Sequence, residues 1–524
     1  SDREAFMNGA HALLATLRAN GVTTCFANPG TTEMHVVAAL DDFSDLRGIL
    51  CLFEGVATGA ADGFARVSAT PAATLLHLGP GLANGWANLH NARRARSPLV
   101  NIVGDHATYH GALDAPLQSD IASVASALEG WVQRPTRVDD LAHATARAVQ
   151  AAYGPPGRVA TLIVPSDVAW DELASPPTRW PVLARDTLAA PDEAQLRRAA
   201  ELLRTKRVAL LVGGPALDAG QLDLAARIAA ATSCKVIMET FPAITDRGAG
   251  VHRPEHLIYL SEFAIAQLAD LEAVILVGAK EPVGFFAYPG VASRLAPDGC
   301  EVVSVAPPGT DTAAALSFLV DGLDAATLAP EQGERVGVPS GDLTSRTLAA
   351  AIGATMPEGL IVADESTTGG LHLAGATRFS PPHRWMTLTG GAIGMGLPVA
   401  LGAAVASGSR VLAVQSDGAM MYTPQALWTM AREGLDVTVV ALSNRSYAVL
   451  EMELRRIHPD HEGTPSARLL ELDHPAIDLG ALATSLGVPS VRVTTADELV
   501  VALRRSYATP GPMFIEALLP RGIN

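Results

Sequence analysis

The chain is poor in cysteine. Cys25, Cys51, Cys234 and Cys300 are scattered through 524 residues and form no CxxC pair. That spacing excludes a disulfide framework and a CxxC redox or zinc motif, and it predicts buried thiols in a reducing, cytoplasmic setting. Basic residues are also short: 38 lysines and arginines face 54 aspartates and glutamates, for a formal charge of −16. A nucleic-acid partner needs a basic stripe and an anionic membrane attracts the same charge, so neither is expected. An anionic small molecule is not excluded, because a local site can be positive inside an acidic protein. Ser1-Asp2-Arg3-Glu4 lacks a basic start followed by an apolar core, so no secretory signal is expected. Long Leu/Ile/Val runs are missing too. The uncharged stretch between Arg384 and Arg410 is long enough to cross a bilayer. Its glycines, its Thr-Gly-Gly turn and Pro398 instead predict a buried loop followed by a core helix.

Aromatic residues make up only 5% of the chain, whereas alanine and glycine are abundant, as in α/β proteins with close helix–sheet contacts. The length exceeds one hydrophobic core and predicts about three domains. Strands are predicted at Thr24–Ala27, Gly48–Phe53, Ala73–Leu78, Leu99–Gly104 and Val159–Val164, with amphipathic helical stretches between most of them. This β-then-α rhythm predicts an α/β fold of doubly wound, mostly parallel sheets covered on both faces. Pro176, Pro177, Pro181 and Pro191 interrupt it as a linker over Ser175–Asp192. A second unit has strands near Val208–Val212, Lys235–Met238, Ala273–Val277 and Glu301–Val305, and a second break runs from Ala329 to Asp342. The third unit has strands near Leu360–Ala363, Arg410–Gln415, Asp436–Leu442, Ser490–Val493 and Pro512–Ala517. Thr423-Pro424 reads as a helix start. The expected domains are residues 1–175, 190–330 and 343–524.

Two strand ends carry the most informative chemistry. Gln415-Ser416-Asp417-Gly418-Ala419 closes one apolar strand, and Ser443-Asn444-Arg445-Ser446 closes the next. Ligands of open parallel sheets collect beyond the carboxyl ends of neighbouring strands. The carboxylate of Asp417, the amide oxygen of Asn444 and the backbone carbonyl of Ser446 therefore form a candidate set for Mg²⁺, whose octahedral oxygen shell is completed by phosphate and water. Gly418 would let the backbone approach that phosphate. Asp-Gly alone is usually an ordinary acidic turn; the two matched strands and their spacing point beyond it.

This pair resembles the thiamine-diphosphate signature, Gly-Asp-Gly followed some thirty residues later by Asn-Asn, with Ser416 and Ser443 in place of the first residue of each element. The chain is similar to the benzoylformate decarboxylase and acetolactate synthase large-subunit family from about Ala10 to its C-terminus. The resemblance implies thiamine diphosphate and Mg²⁺ as cofactors, with pyrimidine-binding, central and diphosphate-binding domains in that order. Phe53-Glu54-Gly55 resembles the activating-glutamate segment, so Glu54 is expected at N1′ of the aminopyrimidine, where a carboxylate can move the proton that activates the thiazolium carbon. Thr367 and Thr368, in Asp364-Glu365-Ser366-Thr367-Thr368, fall where the family contacts the diphosphate. Gly391 and Ile393, in Gly390-Gly391-Ala392-Ile393-Gly394, match the segment beneath the cofactor, with Ile393 as the wedge that bends it. Ala419 completes the diphosphate loop.

Thr31, in Asn28-Pro29-Gly30-Thr31-Thr32-Glu33, lies where benzoylformate decarboxylase has a serine, and His77 matches its substrate-facing histidine. The second histidine of that enzyme is replaced in Gly284-Phe285-Phe286, with Phe286 near its position, which puts benzoylformate itself in doubt. Gln118 resembles part of the acetolactate synthase Phe-Gln-Glu element, although Ser119 replaces its glutamate. His110, Glu451 and Glu453 are candidate groups near the substrate channel, each more readily read as a solvated or structural side chain. The central domain resembles one that carries FAD in some relatives and nothing in others. Its Gly213-Gly214 is not a GxGxxG fingerprint; FAD is not expected because the resembling benzoylformate decarboxylase lacks it.

The family shares its site between subunits, which implies a homodimer as the minimum active unit and a homotetramer as the common assembly. The expected reaction is decarboxylation of a 2-oxo acid by a carbon–carbon lyase, with carboligation as a second branch. The alternatives are an acetolactate-synthase-like transferase, a lyase for acyloins or 2-hydroxyacyl compounds, and a catalytically silent cofactor-binding relative. A nicotinamide oxidoreductase is a distant further alternative, because no clean dinucleotide fingerprint is present.

Overall fold

The computed structural model describes residues 7–522. The Ser1–Glu4 stretch read above for a secretory signal lies outside them. Two compact units are present. One comprises the chain through Asp186 together with Gly337–Ala376 and Leu388–Asn524; the other comprises Thr187–Val336 and Thr377–Thr387.

Alternating apolar runs and helices wind the larger unit into two parallel sheets. The first contains β1 (Thr24–Asn28), β2 (Arg47–Leu50), β3 (Ala72–Leu76), β4 (Leu99–Asp105), β5 (Trp131–Gln133) and β6 (Val159–Pro165) in the order β2-β1-β3-β4-β6-β5. The central strands β3, β4 and β6 are buried along their whole length, as continuous apolar runs covered on both faces should be.

The smaller unit holds β7 (Val208–Val212), β8 (Lys235–Met238), β10 (Glu255–His256), β11 (Ala273–Val277) and β12 (Glu301–Ala306) in the parallel order β10-β8-β7-β11-β12. It also contains a short antiparallel pair, β9 (Thr245–Arg247) with β14 (His383–Met386). The second sheet of the larger unit places β13 (Ile361–Glu365), β15 (Val411–Ser416), β16 (Val437–Ser443), β17 (Ser490–Val493) and β18 (Met513–Leu518) in the parallel order β17-β18-β16-β15-β13.

The uncharged stretch forms the loop and buried helix expected of it. Gly396–Ser407 is helical and buried from Gly396 through Ala404. It packs on the helix Glu54–Ser68 so closely that side chains at the contact would collide with backbone. A Cβ on Gly63 would lie 2.1 Å from the Val399 carbonyl oxygen, and one on Gly402 1.8 Å from that of Ala60. This contact joins the two sheets of the larger unit. Within the first helix Asp62 and Arg66 stand one turn apart and form a fully buried ion pair at 2.6 Å. Arg66 also donates to the Thr389 hydroxyl at 3.0 Å, which ties the helix to the start of the glycine-rich loop. No described helix is long and apolar enough to cross a membrane.

Candidate active site

Parallel pairing of β15 with β16 aligns Ser416 with Leu442, so the turns that follow these strands lie side by side. Asp417, buried at the first of them, accepts from its neighbour Gly418 N–H at 2.8 Å and, across the gap, from Arg445 N–H at 2.6 Å. Asn444 and Asp417 are thereby brought together. Burial pushes the Asp417 carboxyl above the usual aspartate range, and the amide donors oppose that shift. The Asn444 side-chain oxygen accepts from Ser446 N–H at 3.1 Å, and Arg445 holds a left-handed φ of 57° that turns the chain sharply at the strand tip. β13 pairs with β15 on its other side, Glu365 opposite Gln415, which sets the 3₁₀ turn Thr367–Gly370 on the same edge of the sheet. The expected diphosphate segments thus converge at one edge. The Asp417 carboxylate and the Asn444 amide oxygen at this edge are hard-oxygen donors that could hold Mg²⁺. Gly418 is required for a reason the sequence reading did not contain: a Cβ there would lie 2.4 Å from the Tyr447 ring.

Beside this edge runs the loop Gly390–Gly396. Three consecutive backbone N–H groups, of Gly394, Met395 and Gly396, donate to the carboxylate of Glu365 at 2.8, 3.2 and 2.8 Å. Gln415 Nε2 adds a fourth bond at 2.7 Å. Glu365 is 2% exposed, and burial pushes its carboxyl up while the four donors favour the ionised form. From the other side Asn91 donates to the Ala392 carbonyl at 2.8 Å, and Asn88 and Thr423 donate to that of Gly394 at 3.2 and 2.9 Å. The half-buried Ile393 therefore sits on a loop fixed at both ends. Thr423 spends its hydroxyl on this loop, and the helix predicted to begin there begins at Ala426 instead.

Glu54 opens the helix Glu54–Ser68 and is 7% exposed, with Asn84 donating to its carboxylate at 3.1 Å. His77 follows β3 at the N-cap position of the helix Leu78–Ala95, and the next residue, Leu78, is buried at φ 55°. A non-glycine residue in that region stores strain of the sort found at functional sites. The His77 ring lies against Gly30, where a Cβ would come within 2.3 Å of it. Its Nδ1 is 2.8 Å from Glu33, a carboxylate 1% exposed that also accepts from Gly30 N–H at 2.7 Å. A carboxylate only accepts, so Nδ1 carries the proton and Nε2 is the nitrogen left to exchange one.

The structure places Thr31 on the exposed face of its 3₁₀ turn and brings Thr32 to the pair instead, bonded to Glu33 and 3.3 Å from His77 Nδ1. His110 packs on His106 with ring centroids 5.2 Å apart, and Gln118 lies beneath Gly111. Ser119 meets Gly79 at the start of the helix that His77 caps. Glu451 bonds the Ser446 hydroxyl and lies 3.5 Å from Arg521, so its carboxylate braces the turn after β16. Glu453 lies 3.8 Å from Arg456. Phe286 belongs to the smaller unit, 56% exposed beside Phe285 in an aromatic cluster with Tyr259 and Phe241. A cavity of about 430 Å³ in that unit, lined by Lys235, His252, Arg253 and Glu331 among others, contains none of the residues predicted for the site.

Sequence reasoning missed Glu33, Asn84, Glu365 and Gln415. Glu33 and Glu365 were visible as carboxylates inside the quoted motifs, but their burial, and hence their hydrogen-bonding duty, depends on strands distant in sequence.

Comparison with known proteins shows the family of the chain. Family models described as "Thiamine pyrophosphate enzyme, N-terminal TPP binding domain" and "C-terminal TPP binding domain" match residues 7–126 and 367–517. The IlvX protein of Mycobacterium tuberculosis, provisionally named an acetolactate synthase large subunit, is 50% identical over 518 residues, 98% of this chain and 99% of that one. Benzoylformate decarboxylase of Pseudomonas aeruginosa is 31% identical over 530 residues, covering 95% of this chain and 96% of its own. The fold of the thiamine diphosphate-dependent 4-hydroxybenzoylformate decarboxylase of Rhodococcus jostii superposes with a TM-score of 0.84 over 99% of this chain and all of that one, at 24% identity. With the matched domains carrying the Asp417–Asn444 edge and the Glu54 helix, the chain belongs to the thiamine-pyrophosphate-dependent enzymes of the acetolactate synthase and benzoylformate decarboxylase type.

Proposed function

We propose that this enzyme decarboxylates a 2-oxo acid with Mg²⁺ and thiamine diphosphate, and that carboligation to a second carbonyl compound is its other branch. The observation that carries the reading is the Glu33–His77 pair, a buried carboxylate fixing the proton on Nδ1 of a partly exposed imidazole. A decarboxylase needs a proton donor for the carbon that loses CO₂, and His77 Nε2, once it has itself taken up a proton, is the candidate.

Asp417, Asn444 and the Ser446 carbonyl would hold the metal, and Thr367 and Thr368 the diphosphate. Ile393 would support the bent cofactor, with Gly391 and Ala419 lining its path. The bound cofactor supplies a nucleophilic carbon and an electron sink. Glu54, positioned by Asn84, would face N1′ of the aminopyrimidine and exchange a proton with it. Gln118 and His110 are candidates for the substrate side. We infer a cytoplasmic homodimer or homotetramer in which Glu54 serves the cofactor bound by a second subunit; the family resemblance and four cysteines free of disulfides support this reading.

A second reading is an acetolactate-synthase-like transferase, favoured by the 50% identity to a relative provisionally given that name. Screening 2-oxo acids, pyruvate included, for CO₂, aldehyde and acyloin together separates the two: CO₂ with free aldehyde supports the lyase, CO₂ with acyloin and no free aldehyde the transferase. Glu54→Gln should retain cofactor binding and lose most turnover in either case. Full activity in that variant removes the proton path, and binding without turnover of any 2-oxo acid by the wild type identifies a silent relative.

A further inference from the structure

We propose that the smaller unit is closed to a dinucleotide by the chain's own carboxylates, so that the enzyme works without FAD. In that unit the chain runs from β7 out to β8 and β10, then returns to β11 and β12 on the other side of β7. The strand order therefore reverses between β7 and β11, and a dinucleotide of a doubly wound sheet would lie across the turns that follow these strands. Its pyrophosphate would need backbone N–H groups at the first βα turn and at the start of the following helix.

Those donors are already taken. Gly214 N–H, in the turn after β7, donates to Glu239 at 3.0 Å. The same carboxylate fills the space over the turn, because a Cβ on Gly213 would lie 2.9 Å from it. The next helix, Ala219–Thr232, is capped by Asp218, which accepts from Gln221 N–H and from the Gln221 side-chain amide, each at 2.8 Å. Ala219 N–H, at the helix start, donates to Asp246 at 2.9 Å. Gly213 N–H bonds the Val277 carbonyl at 2.9 Å and Gly278 N–H that of Ala306 at 2.7 Å. The turns after β7 and β11 also touch: a Cβ on Gly278 would lie 2.2 Å from the Gly213 carbonyl oxygen.

A pyrophosphate entering this place would meet three carboxylates instead of free amides, and like charges at such range repel. Of the three, Asp246 also has Arg384 Nε within 3.6 Å. The glycines that tempt a nucleotide-site reading therefore serve the close approach of two turns to each other and to Glu239.

The test uses the full-length enzyme loaded with thiamine diphosphate and Mg²⁺. FAD, and ADP as the shorter probe, are titrated while flavin fluorescence anisotropy and heat of binding are followed, and the protein is then desalted and its flavin content measured. The expected result is no saturable binding below about 1 mM and no flavin carried through desalting. Flavin retained near one per chain, or saturable binding of either probe in the micromolar range, overturns the proposal, because it would mean that Glu239, Asp218 and Asp246 give way. The readout is independent of turnover.

Discussion

Replacing Glu365 with glutamine changes one carboxylate oxygen into an amide nitrogen at a place where all four neighbours are donors. Gly394 and Met395 N–H bond one oxygen, and Gly396 N–H and Gln415 Nε2 bond the other. Whichever way the new amide turns, two hydrogen bonds are lost and donor faces donor. Bonds to a charged acceptor contribute about 1.5–3 kcal/mol each, so the gross loss is about 3–6 kcal/mol. Part is offset because a neutral amide no longer bears the desolvation that pushes the Glu365 carboxyl up. A net cost of about 2–4 kcal/mol remains, falling on the loop that carries Ile393. If that loop must be ordered to seat the cofactor ring, thiamine diphosphate binds roughly 30- to 1000-fold more weakly. Calorimetric titration in the presence of Mg²⁺ measures this. Inorganic pyrophosphate, which reaches only the metal and diphosphate side, should bind the variant as it binds the wild type. Unchanged thiamine diphosphate affinity, or equal loss for both ligands, refutes the idea that Glu365 positions the wedge loop.

Glu33→Gln should lower kcat roughly 10–100-fold while leaving cofactor affinity intact, because it loosens the hold on His77 without touching the metal edge; parallel titrations and steady-state kinetics check it, and an unchanged kcat contradicts the pair's role. In the smaller unit, His383 is 3% exposed and burial holds its imidazole down at about 4, against an ordinary value of 6.5. The unfolded chain therefore binds a proton that the folded one refuses, so stability contributed above pH 6.5 is lost as pH falls toward 4, by about 3 kcal/mol. Denaturant melts of wild type and His383→Phe across that range should show a smaller loss in the variant; identical pH slopes contradict the assignment.

Legibility differed by element. Strands buried on both faces announce themselves as apolar runs, and the predicted Val208–Val212 and Ala273–Val277, buried throughout, stand at the bounds expected of them, as do the partly exposed Lys235–Met238 and Ser490–Val493. Trp131–Gln133, Thr245–Arg247 and His383–Met386 were not foreseen: each is short and polar or mixed, and becomes a strand only through its neighbours. The Asp417–Asn444 edge was legible because a strand end followed by an acid or amide is a local pattern. The preference for Thr32 over Thr31 was not, since it depends on the phase of a 3₁₀ turn. The Glu365 brace was hidden for another reason: its partners are backbone amides some thirty residues away, which no side-chain pattern records.

The central claim is that Asp417 and Asn444 grip one divalent ion and the diphosphate it carries. Calorimetry of thiamine diphosphate binding with and without Mg²⁺, on the wild type and on Asp417→Ala, tests it most directly. The account predicts Mg²⁺-dependent binding by the wild type and a loss in the variant larger than the roughly 10–100-fold typical of outer-shell partners. Binding that ignores Mg²⁺, or that survives the substitution unchanged, would contradict it.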